Sequence, residues 1–98
     1  MYEIRKTDVF FSWLNNLSDR RGRAKILARL DRVAEGNLGD AKPVGRGVAE
    51  LRIPFGPGYR VYYIKRRNIV VILLLGGDKS SQEKDIKRAI QMAQDLKE

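Results

Sequence analysis

Neither cysteine nor histidine occurs among the 98 residues. Without cysteine there are no disulfides and no thiolate metal centres. Without histidine there is no imidazole to act as general acid, general base or metal ligand. Any catalysis must therefore draw on lysine, arginine, tyrosine and carboxylates. Neither a metal site nor a cofactor is expected. Long apolar runs are also missing. The longest, residues 69–75, is seven residues, against the ~20 needed to cross a bilayer. Residues 1–6 lack the apolar stretch of a secretory leader. The expectation is a soluble cytoplasmic chain with no membrane partner. No internal repeat, low-complexity tract or long linker divides it, which predicts one domain over residues 1–98.

Negative charge is scarce. Twelve Asp and Glu stand against 20 Lys and Arg, a formal net charge of +8. A 43% apolar content is too high for a disordered basic tail, and a chain of this size buries roughly 60–70% of its unfolded surface. The excess is uneven. Residues 1–47 hold ten basic and six acidic side chains, and residues 48–79 hold six and two. Residues 80–98 hold four of each. Such a distribution suits a polyanion, while an acidic protein partner or a solvated basic coat fits the charge as well.

Residues 2–5 read as a short strand. Thr7 or Asp8 can cap a helix whose apolar face is Phe10, Trp13, Leu14 and Leu17. Ser18 is the expected cap of a second helix, with Ile26, Leu27, Leu30, Val33 and Ala34 as its stripe and Gly36 as its stop. Arg20, Arg21, Arg23, Lys25, Arg29 and Arg32 fill its remaining surface. Residues 37–47, punctuated by Gly39, Pro43, Gly45 and Gly47, read as a loop. From Val48 the period changes to two. Strands are predicted over 48–53, 59–65 and 69–75, the last apolar at every position and so interior. Gly76 and Gly77 are expected to end it. Ser80 or Ser81 caps a last helix that turns Ile86, Ala89, Ile90, Ala93 and Leu96 inward. The order β-α-α-β-β-β-α describes an α+β domain, an antiparallel meander covered by an α-hairpin and a C-terminal helix.

Pairing Ile53 with Tyr59 across the turn at 54–58 sets Arg52 opposite Arg60 and Glu50 opposite Tyr62. One face then carries these four polar residues and the other carries Ala49, Leu51, Ile53, Tyr59, Val61 and Tyr63 as core. Two arginines directly opposite each other repel. Either Glu50 bridges them in an ion network or the face awaits an anion. In Leu75-Gly-Gly-Asp-Lys-Ser-Ser, glycine amides and Lys79 could meet an anion at a helix start. A strand end with a helix cap explains the same residues, and the spacing is not that of a P-loop. Asp78 reads as a turn residue rather than a catalytic carboxylate. Arg66 and Arg67, with Lys65 beside them, are phosphate contacts or simply an exposed hairpin tip.

If the polyanion is an RNA and is to be cleaved, a chain without histidine must still supply a base for the 2′-hydroxyl, stabilisation of a pentavalent transition state and an acid for the 5′-oxygen. Arg52 and Arg60 suit the second task as forked cations that match phosphate. Lys79 adds charge or exchanges a proton, and Glu50 is the nearest carboxylate for the base. Tyr62, ahead of Tyr59 and Tyr63, is placed to orient a base or pass a proton. Arg20, Arg21, Arg23, Lys25, Lys65, Arg66 and Arg67 are candidate RNA contacts.

The stretch Glu50-Leu-Arg-Ile, then Gly56-Pro-Gly-Tyr-Arg-Val-Tyr-Tyr, then Leu73-Leu-Leu-Gly-Gly-Asp-Lys-Ser, then Asp85-Ile with Ala89, resembles the HigB-like addiction-module killer proteins of the RelE/ParE toxin superfamily. The resemblance implies the RelE-like fold and a toxin silenced by a cognate antitoxin, commonly of the helix-turn-helix type. It also implies cleavage of mRNA on the ribosome by a metal-independent endoribonuclease. Two alternatives share the fold: a ParE-like inhibitor of DNA gyrase without chemistry of its own, and an inactive relative that only binds its antitoxin.

Overall fold

Alternating apolar residues and three amphipathic helices fold residues 1–96, those that the computed structural model describes, around one sheet. The elements are β1 (Glu3–Lys6), α1 (Asp8–Asn15), α2 (Arg20–Ala34), β2 (Ala41–Gly45), β3 (Val48–Ile53), β4 (Tyr59–Arg66) and β5 (Val70–Asp78). A 3-10 turn over Lys79–Ser81 then leads into α3 (Gln82–Asp95). The sheet order is β1-β5-β4-β3-β2. β1 runs parallel to β5 and all other pairs are antiparallel. The α+β class stands, but the sheet is mixed and has one strand more than expected.

The added strand, β2, lies in the stretch read as a loop. Its glycines and proline do not prevent pairing, because β2 is an edge strand and an edge tolerates Pro43. Arg46 and Gly47, both at positive φ, form the two-residue turn into β3. The β4–β5 hairpin turns in the same way through Arg67 and Asn68.

Helix starts follow capping chemistry. Thr7 caps α1: its Oγ1 accepts from the Phe10 amide at 3.1 Å and donates to the Leu74 carbonyl at 2.6 Å. Asp19, not Ser18, caps α2 through the Gly22 amide at 3.0 Å. Carboxylate and hydroxyl serve equally well as caps, and only Asp19 also reaches Tyr59. α2 stops at Glu35 and Gly36, the glycine at φ +102°.

Helices cover both faces of the sheet. Phe10 and Leu14 of α1 and Ile26, Leu30 and Val33 of α2 pack on Leu51, Ile53, Tyr59, Val61, Tyr63, Val71 and Leu73. On the other side, Ala89 with Ile86, Ile90 and Ala93 of α3 packs on Val48, Tyr62, Ile64, Leu74 and Leu75. Each large apolar side chain fully buried this way contributes roughly 1.5–3 kcal/mol. The stripe expected for α2 is rotated. Leu27 is exposed, and Arg29 takes a buried position on the inward face with Gly22, Ile26 and Val33.

Candidate active site

The β3–β4 register is the expected one, with Ile53 opposite Tyr59, Arg52 opposite Arg60 and Glu50 opposite Tyr62. The polar face these residues share is not open along its length, as sequence reasoning had it. α3 crosses its inner half, leaving Glu50 only 1% exposed and Tyr62 fully buried. Arg52 and Arg60, nearer the strand ends, stay partly exposed. Gln82, the first residue of α3, donates from Nε2 to both Glu50 oxygens at 3.1 and 3.3 Å. Burial raises the Tyr62 pKa, and the Glu50 carboxylate adds to the shift. Its hydroxyl finds no hydrogen-bond partner among the described residues. Tyr62 therefore keeps its proton at neutral pH.

The Glu50–Arg52–Arg60 ion network, one of the two arrangements open from sequence, does not form. Arg52 turns instead to Asp40, donating from Nη2 at 2.9 Å and from Nε at 3.2 Å to one carboxylate oxygen. That bond raises the Arg52 pKa above its usual value. Arg60 folds back over the turn, its Nη1 donating to the Gly58 carbonyl at 2.6 Å. Its Nε is buried and without a partner among the described residues. Lys79 joins them because its amide donates to Pro57 at 3.4 Å. A Cβ on Gly58 would stand 2.9 Å from Arg60 Nη1 and 3.5 Å from Lys79 Cβ, so this glycine leaves room for the Arg60 guanidinium beside the base of the Lys79 side chain. Arg52, Arg60 and Lys79 thus gather at the sheet end where α3 begins, with Glu50 and Tyr62 beneath the helix.

Gly76 and Gly77 do not end β5; both lie inside it. A Cβ on Gly76 would overlap the Trp13 indole, and one on Gly77 would overlap the Asp85 carboxylate. The glycines admit the protein's own side chains where an external anion had been considered. Asp78 accepts from the Ser80 amide at 2.8 Å and from its hydroxyl, the turn role expected of it. Ser81 flanks α3 without capping it through its side chain, since its hydroxyl donates to Asp85 at 2.6 Å. Tyr59 is tied down on the opposite face by Asp19 at 2.7 Å and by an edge contact with Trp13. Tyr63 also lies on that face, its pKa raised by burial.

Over residues 12–98 the sequence matches the family described as phage-derived Gp49-like proteins. The chain belongs to that family. The match spans α2, α3 and β2 to β5, and so every residue of the cluster. An uncharacterized protein of Haemophilus influenzae is 52% identical over 94 residues, covering 96% of this chain and 95% of its own length. Among solved structures, a chain of the toxin–antitoxin complex RelBE2 from Mycobacterium tuberculosis is similar, with a TM-score of 0.62 at 25% identity. The likeness covers 80% of this chain and 98% of that one. It agrees with the RelE-like α+β architecture expected from sequence.

The remaining candidates of this Gp49-like chain divide between α2 and the β4–β5 hairpin. Arg20, Arg21, Arg23 and Lys25 are on α2, across the sheet from Arg52 and Arg60. Lys25 sits 5.7 Å over the Phe55 ring and Lys65 5.8 Å over Tyr2. Arg66 and Arg67 close the β4–β5 hairpin, some 20 Å along β4 from Arg60 at ~3.3 Å per residue. With Arg5, Lys6, Ile69 and Leu96 they line a groove of about 590 Å³. Sequence reasoning missed Asp40, an exposed acid in a stretch taken as loop. Among the described residues no cluster of His, Cys, Asp or Glu has the makings of a metal site, and no helix is long and apolar enough to cross a membrane.

Proposed function

We propose that this Gp49-like chain is the toxin of a toxin–antitoxin pair and acts as an endoribonuclease on mRNA at the ribosome. The observation that carries the reading is the Arg52–Arg60 cross-strand pair with Lys79 beside it. A fold has little use for two opposed arginines, whose repulsion is relieved when a phosphoryl group lies between them. Similarity to a chain of a toxin–antitoxin complex supports the toxin role. The HigB-like motif resemblance supports the finer assignment, and with it a helix-turn-helix antitoxin and a cytoplasmic site of action.

In this reading the RNA 2′-hydroxyl gives its proton to solvent water and attacks the adjacent phosphorus, while the 5′-oxygen leaves and takes up a proton, giving a 2′,3′-cyclic phosphate and a 5′-hydroxyl. Arg52 and Arg60 hold the non-bridging oxygens as charge builds on them. Lys79, exposed at the rim, serves the leaving oxygen. Glu50 is too deeply covered to meet the 2′-hydroxyl directly. It lies beneath as a buried carboxylate whose negative charge adds to the favourable field at Arg52. Tyr62, its pKa raised, is a proton-holding neighbour rather than a base. Basic residues on α2 and at the β4–β5 tip face other directions, an arrangement suited to a polyanion larger than the chain itself, as a ribosome is.

The test is primer extension on cellular mRNAs after induction, run beside a gyrase supercoiling assay. Discrete new 5′-hydroxyl ends that disappear in Arg52→Ala and Arg60→Ala support the reading. Intact mRNA with inhibited supercoiling replaces it with the gyrase alternative. Intact mRNA with active gyrase leaves the antitoxin-binding relative.

A further inference from the structure

Arg29 is a cation that the chemistry above does not use, yet it is only 7% exposed. Its Nη1 donates to the Leu38 carbonyl at 2.6 Å and its Nη2 to the Asp40 carbonyl at 3.0 Å. Between them Gly39 adopts φ +61°, and a Cβ there would stand 3.0 Å from the Arg29 guanidinium carbon. Residues 38–40 are thus wrapped around the end of Arg29. The Asp40 carbonyl also accepts from the Arg52 amide at 3.0 Å, which uses both of its lone pairs. Backbone position at Asp40 is therefore set from two sides, and its carboxylate reaches Arg52 from a fixed base.

We infer that Asp40 is a positioning residue, held in place by buried Arg29, that presents the Arg52 guanidinium to the phosphoryl group. The inference rests on the nuclease reading for its catalytic consequence, though not for its geometry. An exposed arginine–carboxylate pair alone holds loosely, and this one has side chains 39% and 52% exposed. The anchored backbone makes the difference. A guanidinium offers five N–H donors. Asp40 engages the Nε–H and one N–H of Nη2, which fixes the plane and leaves three donors for the substrate. Asp40 also sets a negative charge beside Arg52, which offsets part of its repulsion with Arg60 before substrate arrives.

Two readouts test this. The first is the Arg52 Nε–H resonance in nitrogen-15 NMR, assigned by its loss in Arg52→Ala. In the wild-type chain it should be sharp and slow to exchange with water, and in Asp40→Ala it should broaden or vanish. The second is cleavage of a reporter mRNA in a translating extract by the single and double variants. Misplacing a reacting group costs on the order of ten- to a hundredfold in rate. Asp40→Ala should therefore lose that much when Arg52 is present and nothing further in the Arg52→Ala background. Asp40→Asn keeps the side-chain shape and replaces Asp40→Ala in both assays if the latter fails to fold. An unchanged Arg52 resonance, or an equal loss of rate with and without Arg52, overturns the inference. If the wild-type chain cleaves no RNA, the proposed function fails while the resonance still decides whether Asp40 fixes the guanidinium.

Discussion

Gly77 in β5 and Asp85 in α3 occupy each other's space: the carboxylate lies where a Cβ on Gly77 would be. Gly77 is paired with Arg60 across the ladder, so this contact seats the first turn of α3 directly beside the cationic cluster. Gly77→Ala must displace the Asp85 carboxylate and disturb its hydrogen bond with Ser81 at the first turn of α3. Overpacking of this kind costs about 1–3 kcal/mol. The expected result in urea is a lower unfolding midpoint with an unchanged slope, together with reduced toxicity.

Arg52→Ala should abolish growth arrest on induction while the melting temperature stays within a few degrees of wild type. The ion pair it removes is exposed and contributes roughly 0.2–1 kcal/mol. Without a preorganised donor to the developing charge, the rate falls about a hundredfold or more. Arg60→Ala should be equally inactive. A variant that folds and stays fully toxic would place the site elsewhere.

Arg29 and Arg32 are neighbours on α2 with opposite expected consequences. Arg29→Ala leaves the Leu38 and Asp40 carbonyls without their side-chain donor, a loss of about 1–3 kcal/mol. Arg32 is exposed, and Arg32→Ala should change stability by no more than about 0.5 kcal/mol. Chemical denaturation of both variants checks the contrast.

The Asp19–Tyr59 hydrogen bond should shape stability at both ends of the pH scale. It lowers the Asp19 pKa below its usual 3.8, so this group stabilises fully above that value and loses its contribution as pH falls through the folded pKa. The same bond pushes Tyr59 up to about 12, so the tyrosine stabilises fully below its usual 10 and loses its contribution as pH rises toward 12. Urea midpoints of wild type and Tyr59→Phe should differ most between about pH 5 and pH 9. They should converge as pH falls below 3.8 through the folded Asp19 pKa and as it rises from 10 toward 12, and a difference constant across pH would show that the bond does not form.

Neutralising Arg20, Arg21, Arg23 and Lys25 together should weaken ribosome binding and flatten its salt dependence, with little effect on the chemistry. For every phosphate no longer neutralised, the slope of log affinity against log salt falls by about 0.7 on single strands and 0.9 on duplex. An unchanged slope would assign the α2 face to solubility or to the antitoxin.

What local patterning determines was legible from the sequence. Alternation along residues 48–53 and 59–65, with a turn that cannot continue a strand, sets which residues face each other, and Arg52 meets Arg60 as expected. The wholly apolar run that opens β5 announced an interior strand, and it lies between β1 and β4. Alternation assigns residues to faces but cannot tell what will cover a face. Glu50 and Tyr62 looked solvent-facing for that reason, until α3 closed over them. Gly76 and Gly77 looked like a strand end because the side chains that need their missing Cβ atoms, Trp13 and Asp85, come from helices outside the strand's own pattern. Arg29 counted as surface because it is charged, and only the carbonyls of residues 38–40 folding around it make its burial tolerable. Asp40 comes to meet Arg52 in the same way, from a backbone segment that carries no periodic signal and is held by hydrogen bonds from Arg29 on α2 and Arg52 on β3.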